Sequence, residues 1–336
     1  QNRITGEWVI IASERASRPE DFHRDVSKPK PPTHNPACPF CPGNERMTPT
    51  EIIADRPPDT APDSEGWNVR VVPNKYPALD PSSEVDWFEE ANLFNGIAGF
   101  GVHDVFIDTP RHDLTIATMS RRAVEKLFFV YRARYNQLEK NEKILMINIF
   151  RNYGVKAGAS LEHPHSQVLA TPIIPTRTQI RLNVAKEYYD IHKRCIVCDT
   201  IEATLKAKER VVLETERFIV FEPFASQSPF ETWVAPKRHC ASFGETLDAE
   251  IVELAQIMRD ILHRIYVGLG DPDPGLGGDR RRERRADPAP CRRPTAGGAL
   301  DADELLGADR VPQRRADGPV DDPRRSRQRH RQRADT

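Results

Sequence analysis

The residues best suited to chemistry lie in the stretch GASLEHPHSQVLA, residues 158–170. It places His163 and His165 two positions apart, with Gln167 two positions further on. Residues two apart on a strand point the same way, so these side chains form one row. Pro164 cannot donate to a strand ladder, which predicts a strand edge or a strand start. Taken by itself, the pair of histidines is compatible with a metal site, a solvated strand face or a nucleophile.

The cysteines indicate metal ligation. Four of the six cysteines form C-x-x-C pairs, Cys38 with Cys41 and Cys195 with Cys198. No signal-peptide pattern opens the sequence, so we interpret the pairs as metal ligands rather than disulfides. Zinc takes four ligands, and C-x-x-C supplies two thiolates from one turn. For the first pair, His112 and His163 are the best-placed partners, although His112 alone would be typical of a surface turn. The less well placed histidines are His23, His34 and His103.

The order of landmarks repeats along the chain. CPFC, VVPNKYPA, HDVFIDTPRH and an amphipathic helix fill the first half, and CIVC, FIVFEPFASQSPF, ETWVAPKRH and another helix fill the second. This order predicts two copies of one α+β unit. Cys195, Cys198 and His239 reproduce the first ligand triplet. His112 precedes His163 by 51 positions, yet no histidine lies near the matching position 290. We therefore expect a second zinc site that is incomplete and weak.

Hydrophobic patterning predicts the elements that must position these residues. β-Branched runs predict strands at residues 7–13, 68–74, 101–108, 143–150, 166–175, 210–214, 218–224 and 231–236. Apolar residues at helical spacing predict a helix over residues 124–135 with Ser120 as its N-cap, and a second over residues 179–193. A third helix carries a buried stripe over residues 251–265, with Gly268 capping its end. Residues 24–66 are rich in Pro, Asp and Ser and are predicted to be loop.

Composition limits the functional classes that we consider, and it sets the last 66 residues, 271–336, apart from the rest of the chain. The formal charge of −1 gives no whole-chain argument for binding nucleic acid or an anionic membrane. No apolar run reaches the roughly 18 residues of a membrane span, and we expect a cytoplasmic protein. Residues 271–336 contain no Ile, Phe, Tyr, Trp, Met, Lys or Asn. Such a segment cannot bury a core, so we expect a disordered tail. Lysine vanishes where arginine multiplies, which indicates a shifted reading frame.

Together these patterns favour chemistry at the second histidine of the HPH stretch. If His163 binds zinc, His165 is held rigidly beside it. A neutral imidazole is a competent nucleophile toward phosphorus when an acceptor holds its other ring nitrogen. Gln167 can donate a hydrogen bond to a phosphoryl oxygen without exchanging a proton. Upstream, Gly158 and Ser160 allow close approach of backbone and hydroxyl to a phosphate.

EHPHSQ resembles the active-site motif of the galactose-1-phosphate uridylyltransferases, the transferase branch of the histidine-triad superfamily. RITGEWVIIASERASRP is similar to the family's N-terminal signature, VVPNKYPAL to its nucleotide-contacting segment and FRNYGVKAGASLEHPHSQ to its catalytic segment. GFGVHDVFIDTPRH and PFASQSPFETWVAPKRH resemble the two-zinc members, which include a plant ADP-glucose phosphorylase type. The similarity covers residue 3 to about residue 270.

The resemblance implies a fold of two tandem histidine-triad-like units, residues 1–175 and 176–270, followed by the tail at residues 271–336. Each unit would be a mainly antiparallel sheet with packed helices, the second one incomplete. The family's last strands, and residues there that reach the partner subunit of a dimer, are not recognisable after residue 270. Intact relatives are expected to be homodimers, and we expect this chain to be impaired in hexose binding and dimerisation.

The resemblance also assigns roles to residues. His165 would attack the α-phosphorus of an NDP-sugar, while Gln167 and Ser160 steady the phosphoryl group. His163 would join Cys38, Cys41 and His112 on a structural zinc. Arg15 and Arg18 match phosphate-binding arginines, and Asn74 and Asn152 match nucleotide or phosphate contacts. Without the resemblance, the arginines would be typical of a solvated turn and the asparagines of turn caps.

Three functions follow as expectations. The first is a UDP-glucose:hexose-1-phosphate uridylyltransferase, which passes its nucleotidyl group from an NDP-sugar to a sugar 1-phosphate. The second is an ADP-glucose phosphorylase, in which phosphate is the acceptor. Gln167 stands where the hydrolase branch carries a third histidine, which favours transfer over hydrolysis. The third, of another class, is a zinc-organised protein whose basic tail binds nucleic acid.

Overall fold

The computed structural model describes residues 1–7, 9, 31–153, 161–228, 230–269 and 300–301, and the account below concerns these residues. The strands are β1 (Ile53–Asp55), β2 (Val69–Pro73), β3 (Trp87–Glu90), β4 (Phe94–Ile97), β5 (Val102–Ile107), β6 (Met146–Arg151), β7 (His165–Thr171), β8 (Val211–Glu214), β9 (Phe218–Phe221), β10 (Trp233–Pro236) and β11 (Leu300–Asp301). The α-helices are α1 (Arg121–Leu138), α2 (Thr176–His192), α3 (Ile196–Ala207) and α4 (Asp248–Gly268).

The strands form antiparallel sheets, and the predicted α+β class is confirmed. The large sheet has six strands in the order β1-β2-β5-β7-β6-β11. A second sheet has the order β10-β9-β8, and β3 and β4 pair as a hairpin. All named strand pairs are antiparallel. The strand that begins at His165 thus lies inside the large sheet, between β5 and β6, so Pro164 marks a strand start rather than a sheet edge.

Helix α1 anchors one face of the large sheet. Ser120 caps it, because its side chain accepts a hydrogen bond from Ala123 N. Its buried stripe includes Leu127 and Tyr131, and the Tyr131 ring packs edge-on against Phe106 of β5 at 4.7 Å between centroids. Helix α4 packs on α1, and apolar residues of β9, β10 and α4 share one core with β2, β5 and β7. The two halves of the chain therefore share one interior.

Most predicted elements are confirmed, and the differences have physical reasons. Strands β2, β5 to β10 and helices α1, α2 and α4 fall where the patterning predicts them. The prediction of loop over residues 24–66 is wrong in two places: β1 and a 3₁₀ helix at Glu45–Met47 lie within it. Only three residues long, β1 depends on pairing with β2, which local sequence does not reveal. Helix α3 and the β3–β4 hairpin are additions to the predicted elements.

The second C-x-x-C lies at the start of a helix. Cys195 is the N-cap of α3 and Cys198 lies in its first turn, while Ile196, Ile201 and Thr204 face inward. At the end of α4, Gly268 is the last helical residue, and Leu269 follows as the C-cap. The predicted Gly268 cap is therefore displaced by one residue.

The termini of the chain are described only in part. The strand predicted at residues 7–13 lies mostly outside the described residues, as does the tail at residues 271–336. Two tail residues are described: Leu300 and Asp301 form β11, whose backbone pairs with Arg151 and Phe150 of β6. In the described part of the chain, no helix has both the length and the apolarity needed to cross a membrane.

Candidate active site

Four residues from three separate segments meet at one end of the large sheet; we call them the first cluster. They are Cys38, Cys41, His112 and His163, all buried, and their ligand atoms lie within 4.8 Å of one another. The C-x-x-C turn is closed by a hydrogen bond from Cys41 N to Cys38 O at 3.2 Å. His112 follows β5, and His163 lies two residues before β7. The neighbouring strands β5 and β7 thus place both histidines next to the cysteine turn.

The spacing of the first cluster fits a tetrahedral zinc ion. Zinc bonds of about 2.3 Å to sulfur and about 2.05 Å to nitrogen give tetrahedral edges of about 3.5 Å for S···N and about 3.3 Å for N···N. Cys41 Sγ lies 3.5 Å from the Nδ1 atoms of both His112 and His163, and those two nitrogens are 3.2 Å apart. Two thiols and two imidazoles are also the donor set that zinc takes in structural sites.

The ring of His163 is oriented for ligation through Nδ1. Its Nε2–H donates to Thr109 O at 2.8 Å, which leaves Nδ1 as the nitrogen with a free lone pair. Burial lowers the pKa of His163 to about 4, so the imidazole is neutral and able to ligate at neutral pH. Burial also raises the pKa of the Cys38 thiol to about 11, so metal binding must displace a proton from that sulfur.

His165 is held the opposite way round. Its Nδ1 lies 2.8 Å from the backbone oxygen of His163, and because a carbonyl can only accept, Nδ1 carries the hydrogen. The neutral ring therefore has its lone pair on Nε2. Burial, reinforced by the positive charge of Arg151, lowers the pKa of His165 and favours this neutral form. The Phe40 ring of the cysteine loop packs against the imidazole at 5.6 Å between centroids. An oriented, unprotonated Nε2 is what a nucleophilic histidine requires.

A row of polar side chains continues from His165 across the same face of the sheet. Register pairs Ile107 with His165 and Val105 with Gln167, so His103 of β5 lies diagonal to Gln167. His103 Nε2 is 2.8 Å from Gln167 Oε1 and 3.0 Å from Asn74 Nδ2. The sheet therefore places His103, which the sequence analysis did not assign to substrate, between Gln167 and Asn74, two residues that are distant in sequence.

A second network lies on the opposite face of β7, beneath His165. Tyr131 OH is 2.6 Å from Ser166 Oγ, which donates to Asp108 Oδ2 at 3.2 Å. The same Asp108 oxygen pairs with Arg151 Nη1 at the end of β6. Tyr131, Ser166 and Asp108 are all buried. This network fixes α1, β6, β7 and the loop after β5 together directly behind His165.

The second cluster consists of Cys195, Cys198 and His239, whose ligand atoms also lie within 4.8 Å of one another. Cys198 Sγ is 3.2 Å from His239 Nδ1. The two cysteines are half-buried and the histidine is exposed, in contrast to the first cluster. Among the described residues, three ligands meet there and not four.

The remaining predicted site residues are distributed as follows. Asn152 is half-buried and directly follows β6. Arg15, Arg18, Gly158 and Ser160 lie outside the described residues. His34 is not one of the ligands of the first cluster, and its Nε2 is 3.0 Å from Pro42 O. The residues that the sequence analysis missed are His103 and the buried network of Tyr131, Ser166, Asp108 and Arg151. The alternation of β5, which sets His103 on the face of Val105, was a sequence signal for His103, and the helical stripe of α1 was a signal that Tyr131 is buried.

Comparison with known proteins decides the family. Residues 1–175 match the sequence model of the galactose-1-phosphate uridyl transferase N-terminal domain, and residues 181–268 match that of the C-terminal domain. The chain belongs to the galactose-1-phosphate uridyl transferase family. It is therefore a nucleotidyltransferase of that family, built from the family's two domains.

Individual relatives of the family divide between two activities. The chain is 35% identical to the ADP-glucose phosphorylase of Arabidopsis thaliana over 80% of its own length and 74% of the relative's. It is 29% identical to the galactose-1-phosphate uridylyltransferase of Thermotoga maritima over 77% and 72%. A solved Arabidopsis thaliana ADP-glucose phosphorylase with bound ADP-glucose superposes with a TM-score of 0.66 at 32% identity, covering 81% of this chain and 78% of that one.

Proposed function

We propose that this protein transfers a nucleoside monophosphate from an NDP-sugar to a phosphate-bearing acceptor, through a nucleotidyl-histidine on His165. The observation that carries the proposal is the hydrogen bond from His165 Nδ1–H to the backbone oxygen of His163. It directs the lone pair of Nε2 away from the backbone. It also stabilises the positive ring that forms when Nε2 bonds to phosphorus, because Nδ1–H then becomes a stronger donor.

In the first half-reaction, His165 Nε2 attacks the α-phosphorus of the NDP-sugar. A P–N bond forms, the bond from the α-phosphorus to the bridging oxygen breaks, and sugar 1-phosphate leaves with that electron pair. Gln167 donates from its amide to the phosphoryl oxygens as charge develops on them. Zinc on the first cluster would act structurally, fixing His163 and with it the backbone oxygen that orients His165.

In the second half-reaction, an oxygen of the acceptor attacks the phosphorus and the P–N bond breaks. The electron pair returns to Nε2, which restores the neutral ring. With inorganic phosphate as the acceptor, the product is a nucleoside diphosphate; with a sugar 1-phosphate it is a new NDP-sugar. Gln167 cannot act as a general base for water near neutral pH, which supports transfer over hydrolysis.

For the donor we propose ADP-glucose, with phosphate as acceptor. The support is the higher identity to the ADP-glucose phosphorylase, 35% against 29% for the Thermotoga uridylyltransferase. UDP-glucose with a hexose 1-phosphate acceptor is the second candidate, because several named uridylyltransferases align over more than three quarters of the chain.

The experiment is covalent labelling with ADP-glucose or UDP-glucose carrying ³²P at the α-phosphate. We expect label from ADP-glucose that is stable to base and lost in acid, and absent in His165→Asn. Asn places its amide near the position of Nδ1, so the variant keeps the hydrogen bond to His163 O but has no atom at Nε2. A phosphate chase should release labelled ADP. Label from UDP-glucose alone would select the second candidate, and label that persists in His165→Asn would refute the mechanism.

A further inference from the structure

His103 lies between the two amides that the family resemblance assigns to substrate. Asn74 N donates to His103 O at 2.9 Å, which brings the end of β2 beside β5. On the other side, β5 and β7 place His103 and Gln167 as diagonal neighbours on one face, where side chains are within reach of each other. His103 is half-buried and belongs to neither metal cluster. Its ring nitrogens are therefore available to neighbours other than a metal.

Two backbone N–H groups fix where the hydrogens lie in this row. Ala78 N donates to His103 Nδ1 at 3.1 Å, so Nδ1 is an acceptor and the neutral ring carries its hydrogen on Nε2. Tyr76 N donates to Asn74 Oδ1 at 2.9 Å, which turns the NH₂ group of Asn74 toward the ring. An NH₂ group cannot accept from Nε2–H, so the 3.0 Å contact between Asn74 Nδ2 and His103 Nε2 is not a hydrogen bond in this tautomer. The hydrogen of Nε2 consequently goes to Gln167 Oε1 at 2.8 Å.

This assignment determines which way the Gln167 amide faces. Its oxygen is bound to His103, so its NH₂ group occupies the other branch of the amide. Rotating the amide by half a turn would set a second NH₂ group against Nε2–H, beside that of Asn74, and Nε2–H would then have no acceptor. Without His103, an amide can present either its oxygen or its NH₂ group to a ligand, and only the NH₂ group attracts a phosphoryl oxygen.

We propose that His103 is a positioning residue, which holds the NH₂ group of Gln167 toward the phosphoryl group that His165 receives. The proposal rests on the function proposed above. Both nitrogens of His103 are engaged, Nδ1 by Ala78 and Nε2–H by Gln167, so His103 is neither a second nucleophile nor a general base. Its action on the reaction passes through Gln167.

Two variants of His103 separate positioning from packing. His103→Gln sets an amide NH₂ near the place of Nε2 and keeps a donor for Gln167 Oε1. His103→Asn reaches only to the place of Nδ1 and loses that donor. We expect His103→Asn to slow label formation at saturating donor by roughly 10- to 100-fold, the cost of a misplaced transition-state contact, with KM changed by less than about threefold. His103→Gln should stay within about threefold of the parent chain.

A double-mutant cycle then tests the route of the effect. In a Gln167→Ala background, His103→Asn should cause no further loss, because the group on which His103 acts is gone. Additive losses, or equal losses in His103→Gln and His103→Asn, would overturn the proposal.

A measurement without turnover keeps this proposal separate from the proposed function. Nitrogen NMR of the His103 ring should give a hydrogen on Nε2 and none on Nδ1, and the Gln167 side-chain amide should lose order in His103→Asn but not in His103→Gln. A hydrogen on Nδ1 in the parent chain contradicts the positioning role. If neither donor labels the protein, the proposed function fails, and these NMR signals still decide whether His103 orients Gln167.

Discussion

His163 and His165 lie two positions apart with opposite ring orientations, so replacing each one should remove a different property of the protein. His163 turns Nδ1 to the first cluster and Nε2–H to Thr109 O, whereas His165 turns Nδ1–H to a backbone oxygen and leaves Nε2 free. His163→Gln keeps an amide near Nε2 for the Thr109 contact and removes only the zinc ligand. His165→Asn keeps an amide near Nδ1 and removes only Nε2, the proposed nucleophile. The two variants therefore serve as controls for each other, because each keeps one hydrogen bond of its ring and loses one other function.

The size of each effect follows from these contacts. Structural zinc contributes roughly 10–16 kcal/mol in small zinc domains. Divided among the four ligands of the first cluster, this is roughly 2.5–4 kcal/mol per ligand. Loss of that amount should lower Tm by roughly 5–15 °C. His165→Asn preserves its backbone hydrogen bond and should stay within about 1 kcal/mol of the parent chain.

The assay compares three quantities on proteins purified side by side: bound zinc by elemental analysis, Tm by calorimetry, and label taken up from the nucleotide donor. We expect His163→Gln to lose zinc from the first cluster together with thermal stability, and His165→Asn to lose only label. A His163→Gln protein that keeps its zinc and Tm would refute the ligand role. A His165→Asn protein that loses zinc would refute the separation of the two histidines.

Three further predictions concern the surroundings of the site. Ser166→Ala leaves the buried Tyr131 hydroxyl without its acceptor and should cost about 2–3 kcal/mol in urea unfolding, against about 1 kcal/mol for Tyr131→Phe; equal costs would contradict the network. In the metal-free protein, burial lowers the pKa of His163 to about 4, so the unfolded chain binds this proton first. Stability should be fully present above about pH 6.5 and fall toward pH 4, checked by unfolding across that range. A chelator should remove zinc from the second cluster, which is more exposed, before it removes zinc from the buried first cluster. The measurement is the time course of zinc release, and release from the first cluster before the second would contradict the burial argument.

Short-range spacing was enough to predict which side chains lie together at the centre of the candidate site. His163, His165 and Gln167 are two apart, and strand geometry alone sets such residues in a row. The C-x-x-C turn needs only four residues to define a pair of thiols. The assignment of His112 to Cys38 and Cys41 depended on the repeat, because the same order of landmarks recurs in the second half of the chain. The structure brings these three residues together with His163.

Contacts that depend on strand register could not be predicted. His103 meets Gln167 because β5 and β7 are neighbours with Val105 opposite Gln167, although α1 and β6 separate the two strands along the chain. Tyr131 reaches Ser166 because α1 lies over that part of β7. A helical stripe reveals that Tyr131 is buried, but not which strand residue its hydroxyl will meet. Both sets of partners follow from pairing and packing, which one sequence does not specify.

The alternation of β7 explains why structural and chemical roles lie so close together. His165 and Gln167 face the polar row, while Ser166 and Val168 face α1 and the core. The buried residues hold the strand in register, because a slip of one residue would exchange the two faces. Transfer to phosphorus depends on atoms placed to within a fraction of an ångström. For the reaction proposed at His165, the network behind it would therefore serve by keeping the strand from moving, even though none of its hydroxyls faces the polar row.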